Sequence, residues 1–385
     1  MSATRTAYPL ADGFQEILDE FVYRFILEED EVVSGKKSIF DEVYLPLLRA
    51  QGVQFVNMAV GGDYVPQIMY SNAENRFWDA HKKLDALQTE LDAGCESFIL
   101  CRSEADIDRA IDEGKIGIFA TLAGGRPLEG KQNINLLSSL RSLYRAGLRA
   151  VQLTGNGRNR LADGVAQARS RGKLTDFGVK VVREAERLGV VVDSSQLSDH
   201  GFFDLAEVSA GPIIDSHTAS EYVCRHPRAI SDDRIKVIAE KGGVVGISFR
   251  TALLAGTEKR GGLDHLMRHI EHVASIAGTE HMMLSPDYSA YATPVCREKL
   301  IGYANRGPDF CKFDRQTPTQ LNKYPGWVEG VWYGLLESDF IAGPESREAF
   351  PLATEALRTK AGFSEEELEN ILGGNLLRIY RTVLS

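Results

Sequence analysis

The stretch Leu174-Thr-Asp-Phe-Gly-Val-Lys-Val-Val-Arg-Glu-Ala-Glu-Arg-Leu-Gly-Val-Val-Val-Asp193 decides the fold. Phe177, Val181, Val182, Ala185 and Leu188 recur at three- and four-residue spacing, the period of a helix with one buried face. Gly189 stands where a helix ends on a left-handed residue. The β-branched run Val190–Asp193 then reads as a strand.

The same unit recurs along the chain. Ser231–Lys241 reads as a helix capped by Ser231 and stopped by Gly242-Gly243, and Val244–Phe249 follows as a strand. Further candidate strands are Val53–Val60, Phe98–Cys101, Ile116–Thr121, Ala150–Thr154, Pro212–Asp215 and Met282–Ser285. Repeated strand–helix units predict an α/β fold with a parallel sheet, and this number of them predicts a closed (β/α)8 TIM-like barrel. An open doubly wound sheet is the alternative. No glycine-rich phosphate fingerprint follows any strand, which counts against its nucleotide-binding form. Two stretches interrupt the rhythm, Gly155–Lys173 and Tyr288–Pro325. Each follows a strand, so in a barrel both lie on the face where ligands bind.

Composition bounds the rest. A hydrophobic fraction of 43% and a charged fraction of 25% over 385 residues are those of a globular protein with a sizeable core. A net charge of −10 argues against a nucleic-acid surface, which needs a basic patch. Met1–Asp12 carries no apolar signal-peptide run, no stretch is long and apolar enough to span a bilayer, and Leu376–Leu384 reads as an amphipathic helix. The expectation is a cytoplasmic protein that forms one domain over residues 1–385. Cys95, Cys101, Cys224, Cys296 and Cys311 form no C-x-x-C pair and read as buried or incidental thiols.

Several ordered motifs resemble the renal-type (membrane) dipeptidases, peptidase family M19. They are the Leu174–Asp193 stretch, Pro212-Ile-Ile-Asp-Ser-His217, His226-Pro-Arg228-Ala-Ile-Ser-Asp-Asp233 and Gly242–Phe249. Asp12-Gly-Phe-Gln-Glu16 near the start and Gly373-Gly-Asn-Leu-Leu-Arg-Ile-Tyr380 near the end extend the likeness to almost the whole chain. The resemblance implies a barrel of the metal-dependent, amidohydrolase-like type. It also implies two zinc ions at the strand ends, bridged by a glutamate and a hydroxide that attacks the peptide carbonyl.

Position by position, the ligands that the resemblance implies are mostly replaced. The first histidine is Phe14 and the aspartate two residues on is Glu16. The bridging glutamate is Ala123, a further histidine is Gln196, and the histidine that steadies the tetrahedral intermediate is Gly155. Of the metal ligands only His217 is unchanged. A methyl group cannot bridge two dications, so no dizinc centre and no cofactor is expected.

Three matches persist. Arg228 matches the arginine that holds the substrate carboxylate, Asp287 the aspartate that shuttles a proton, and His217 stays in the strand-end ring. The expected catalytic residues are therefore Asp287, His217 and Arg126, with Arg228, Asn156 and Tyr288 binding substrate. The expected reaction is metal-independent acid–base chemistry on a small carboxylate derived from an amino acid or peptide, such as isomerisation, cyclisation, condensation or elimination in a biosynthetic pathway. One alternative is an amide hydrolase with a single zinc or other divalent ion on Asp215, His217, Asp287 and Glu16, since alternation along a strand puts Asp215 and His217 on one face. A non-catalytic ligand-binding protein is another. The resemblance also implies a homodimer. His265, His269, His272 and His281 read as packing or surface residues.

Overall fold

The computed structural model describes residues 8–16, 18–63, 76–129, 137–256, 261–289, 349–360 and 362–385. The chain opens with β1 (Leu10–Glu16), α1 (Leu18–Val33), α2 (Leu45–Gln51), β2 (Val53–Gly62) and α3 (Arg76–Asp92). Next come β3 (Phe98–Leu100), α4 (Glu104–Glu113), β4 (Ile116–Ala123), α5 (Leu137–Ala146) and β5 (Leu148–Gln152). Then follow α6 (Asp176–Leu188), β6 (Val191–Asp193), α7 (Asp199–Val208), β7 (Ile213–Thr218), α8 (Asp232–Glu240) and β8 (Val244–Ser248). After α9 (Thr251–Ala255) and α10 (Leu263–Ala277), β9 (Met282–Ser285) and β10 (Tyr288–Ser289) are separated by Pro286 and Asp287. Helices α11 (Ala349–Lys360), α12 (Glu365–Glu369) and α13 (Asn375–Leu384) complete the described chain.

The opening helix–strand unit forms as its sequence predicts. The Thr175 hydroxyl accepts the Gly178 N–H at the start of α6, Val181, Val182 and Ala185 are buried, and Gly189 ends the helix at φ 74°. The Ser231 side chain likewise accepts the Arg234 N–H at the start of α8.

All the strands lie in one sheet, ordered β10-β1-β2-β4-β5-β6-β7-β8-β9 with β3 on β4, and each pairing is parallel. Gln15 pairs in register with Tyr288, and Glu16 with Ser289, which brings the last strand onto the first. The result is a nearly closed barrel of eight parallel strands. Two of its strands differ from expectation. Phe98–Leu100 pairs with Ile116–Ile118 alone, on the edge of β4 that β5 occupies further along, so β3 is an accessory strand. The place it was expected to fill belongs to β1, whose sequence LADGFQE carries no apolar alternation.

One end of the barrel is plugged. Leu376, Leu377, Ile379 and Tyr380 of α13 pack with Phe55, Phe119, Val191, Ile214 and Met283 from inside the strands. Tyr380 stacks flat on Phe119 at 3.6 Å, and its hydroxyl donates to Asn57 Oδ1 at 3.0 Å. The outer layer, between strands and helices, carries the larger apolar core. The opposite end, where the strands finish, is where the polar groups converge. Among the described residues no helix is long and apolar enough to cross a membrane.

Candidate functional site at the carboxyl ends of the strands

His217 lies at the centre of this end. Phe14, near the end of β1, stacks on its ring at 4.0 Å and 22°, and Ala59 and Ala123 pack around Phe14 as a small apolar cluster. Ser216 Oγ lies 2.7 Å from His217 Nδ1, and Gln196 Nε2 lies 3.0 Å from His217 Nε2. Ser216 Oγ in turn donates to Asp193 Oδ2 at 2.5 Å. Burial lowers the pKa of His217 to about 3; Asp287 opposes this, while Arg228 and Arg250 add to it. The ring is therefore a neutral imidazole at physiological pH.

Asp287 follows β9 and is 3% exposed. Arg250 Nε donates to Asp287 Oδ2 at 2.7 Å, and Arg228 Nη1 lies 3.7 Å from the same oxygen. Burial alone would raise the pKa of Asp287, but Arg250, His217 and Arg228 together outweigh it and hold the carboxyl below its ordinary value. Arg228 Nη2 also donates to the His217 carbonyl at 3.3 Å, so Arg228 ties the two acid–base groups together. Arg250 was not anticipated from sequence. Its signal was its place, immediately after the strand Val244–Phe249, where a barrel presents functional side chains.

Asp287 at φ 55° and Gln196 at φ 64° lie in the left-handed region, which only one other described non-glycine residue, Arg171, enters. Such positions cost free energy and gather at functional sites. Asp12 sits beneath Phe14, where it accepts from the Phe14 N–H and the Gln15 amide. Burial pushes its pKa up to about 7, and the charge of Asp287 adds to the shift. Burial and the neighbouring Asp215 raise Asp193 to about 6, against its bonds from Ser216 and Ser195.

The other expected residues are spread more widely. Arg126 stands on the rim after β4, its main-chain N–H on Asp63 at 2.8 Å and its guanidinium on the Arg158 carbonyl at 3.1 Å. Asp63 also accepts from the Gly155 N–H and from Asn159, and so anchors the loop after β5 to β2 and β4. Asn156 in that loop is buried, and its Oδ1 has no hydrogen-bond partner among the described residues. The backbones of Tyr288 and Glu16 close the barrel, but their side chains lie outside the described residues, as does most of the expected insertion after β9.

Asp215 does not share a site with His217. The β7–β8 register shifts between Asp215 and Thr218, which breaks the strict alternation. The Asp215 carboxylate is taken by Arg234 at 3.0 Å, Ser195 Oγ at 2.8 Å and Ser194 Oγ at 3.2 Å. No group of three or more His, Cys, Asp or Glu side chains among the described residues is placed to hold a metal ion.

The remaining histidines have packing partners. His269 accepts the Ser220 N–H at Nδ1 and faces the Leu254 carbonyl at Nε2, His272 meets Asp232, and His281 meets the Gly243 carbonyl. Cys101 is buried and Cys95 and Cys224 are half-buried; Cys296 and Cys311 lie outside the described residues.

A nearly closed parallel barrel with arginine, aspartate and histidine gathered at its strand ends has its candidate site where (β/α)8 barrels carry their functional groups. Residues 16–300 match the family described as membrane dipeptidase (peptidase family M19), and the chain belongs to that family. Among curated proteins it is similar to an uncharacterised Klebsiella pneumoniae protein from the 5′ region of pqqA. Those two are 27% identical over 203 residues, 51% of this chain and 73% of that protein. Among solved structures it is similar to a Pseudomonas aeruginosa amidohydrolase, with TM-score 0.71 and 22% identity over 98% of this chain and 97% of that one. It is also similar to a Rhodobacter sphaeroides metallopeptidase liganded with a phosphinate mimic of L-Ala-D-Ala. There the TM-score is 0.69 at 19% identity, over 97% of this chain and 99% of that one. At such identities these structures establish the fold alone.

Proposed function

We propose that this chain is a dipeptidase-fold enzyme that carries out metal-independent acid–base chemistry on a small carboxylate derived from an amino acid or peptide. The observation that carries the reading is the stack of Phe14 on His217, with Ala59 and Ala123 beside it. Phe14 and Ala123 occupy positions where a dizinc centre needs imidazole and carboxylate, and they cannot compensate the charge of two dications. The residues present do not fit that centre. Nor do Asp215 and His217 fit a mononuclear one, because Asp215 is committed to Arg234.

In this reading Arg228 and Arg250 receive the substrate carboxylate beside Asp287, a task suited to guanidinium. His217 Nε2 is the proton acceptor once the Gln196 amide that bonds to it turns aside. Arg228 and Arg250 are among the causes that lower its basicity, so a carboxylate bound on them offsets part of that lowering. The substrate thus brings His217 toward the basicity that proton transfer requires. Asn156, on the loop after β5, offers a buried amide oxygen to a polar group of the ligand.

The test is elemental analysis of the purified protein after zinc loading and desalting, alongside dipeptide hydrolysis and a screen of amino-acid-derived carboxylates with wild type and His217→Gln. The expected result is less than about a tenth of an equivalent of zinc, no dipeptide hydrolysis, and turnover of a carboxylate that His217→Gln abolishes. Two tightly held equivalents with dipeptide hydrolysis would overturn the proposal.

A further inference from the structure

The hydrogen bonds around His217 run in one direction. Asp193 Oδ1 accepts the backbone N–H groups of Ser195 at 2.9 Å and Ser216 at 3.0 Å. Its Oδ2 takes the single hydroxyl proton of Ser216 at 2.5 Å. With that proton spent, Ser216 Oγ can only accept at its 2.7 Å contact with His217 Nδ1, so Nδ1 carries the ring proton. His217 Nε2 is then a lone pair, and the group 3.0 Å away is the Gln196 amide nitrogen, a donor. Ser195 Oγ also lies 3.2 Å from Ser216 Oγ, but it gives its own proton to Asp215 Oδ1 at 2.8 Å, and the shorter, charged contact with Asp193 takes the proton of Ser216. The Gln196 amide is oriented by the same logic, and its Oε1 is left buried without a partner among the described residues.

We infer that Asp193 and Ser216 are positioning residues that fix His217 as the Nδ1–H tautomer, with its Nε2 lone pair facing the Gln196 amide. Neither residue touches the open end of the barrel: both are fully buried, on β6 and β7 beneath the imidazole. Their arrangement gives a carboxylate the role of orienting a histidine through an intervening hydroxyl, where a direct carboxylate–imidazole bond is the commoner device. The chain also explains why Gln196 is compatible with His217 although it enters the left-handed region at φ 64°. An amide can donate to Nε2, whereas a side chain without an N–H or O–H there would leave a buried lone pair unmatched. The chemical meaning of the tautomer rests on the reading of His217 as proton acceptor, but the tautomer itself does not.

The experiment is 15N NMR of the full chain labelled at histidine, near neutral pH and without substrate. His217→Gln identifies the resonances of His217 by their loss. His269 gives an internal reference of opposite sense, because the Ser220 N–H donates to its Nδ1 and leaves the ring proton on Nε2. The expected spectrum shows His217 with a protonated Nδ1 and an unprotonated Nε2, the reverse of His269. In Asp193→Asn the new amide donates to Ser216, Ser216 donates to Nδ1, and the His217 proton moves to Nε2. Ser216→Ala removes the link and yields a mixture of both tautomers. Wild-type His217 protonated at Nε2 would overturn the inference, as would retention of the Nδ1–H form in either variant. Because this readout needs neither substrate nor turnover, it fails or succeeds independently of the activity screen.

Discussion

Asp287 shows what a buried carboxylate requires. Side chains exposed by only 4% at Asp287 and Arg228 and 11% at Arg250 place three charges out of water, where removal of one partner strands another. Arg250→Met should therefore cost about 3 kcal/mol at neutral pH, measured by denaturant unfolding, even with Arg228 still in place. A loss well under 1 kcal/mol would mean that Arg228 alone suffices for Asp287. Sequence identified Arg228, Asp287 and His217 through their motifs. Arg250 and the bonding of Asp193 and Ser216 to His217 were not legible, because they depend on contacts between β6, β7 and the loops after β8 and β9.

At the scale of elements, periodicity was a good guide wherever one face is buried and the other wet. Helices α6 and α8 start at their capping hydroxyls and stop at or next to glycine, as their sequences say. Strand β1 escaped that reading because it carries Asp12, Gly13 and Gln15, polar or minimal residues that are buried, with Gln15 donating to Asp12, instead of facing solvent. Helix α13 is amphipathic by sequence, but its apolar face plugs the barrel instead of lying on its side. Tyr380→Phe tests that plug, since it keeps the stack on Phe119 and strands Asn57 Oδ1 without its donor. A loss of about 1–3 kcal/mol is expected in thermal or urea unfolding. An unchanged midpoint would show that Asn57 finds another donor.

For the whole molecule, buried carboxylates and buried histidines together set the pH dependence of stability. Asp12 and Asp193 bind protons more tightly when folded, with pKa values of about 7 and about 6. Their contribution is full below the unfolded value of about 4 and is lost as pH rises through the folded values. Asp287 has the opposite sign: its contribution is present above the ordinary carboxylate value and is lost as pH falls below it. Buried His217 and His269 oppose the two aspartates, because their folded values of about 3 and about 4 lie below the unfolded imidazole and their contribution grows as pH rises to about 7, so the midpoint of thermal unfolding should change little between pH 5 and 8. Asp12→Asn should make the midpoint rise over that range, because an amide does not titrate, keeps the bond from Phe14 and lets Gln15 turn toward it an Oε1 that has no partner among the described residues. A gain of about 2.7 kcal/mol at pH 8 relative to pH 5 is the order expected from the two pKa units between pH 5 and the folded value of about 7. An identical pH profile in the variant would place the titration elsewhere.

The sequence by itself determined the parallel strand–helix architecture, the family and the replacement of ligand side chains at Phe14, Ala123 and Gln196, since these are properties of local pattern and residue type. Only the tertiary structure decided which polar groups meet. A register shift in β7 separates Asp215 from His217, two arginines converge on Asp287, and Asp193 reaches His217 through Ser216. Those outcomes depend on strand register and loop course to within an ångström or two, the distance over which a hydrogen bond is made or lost.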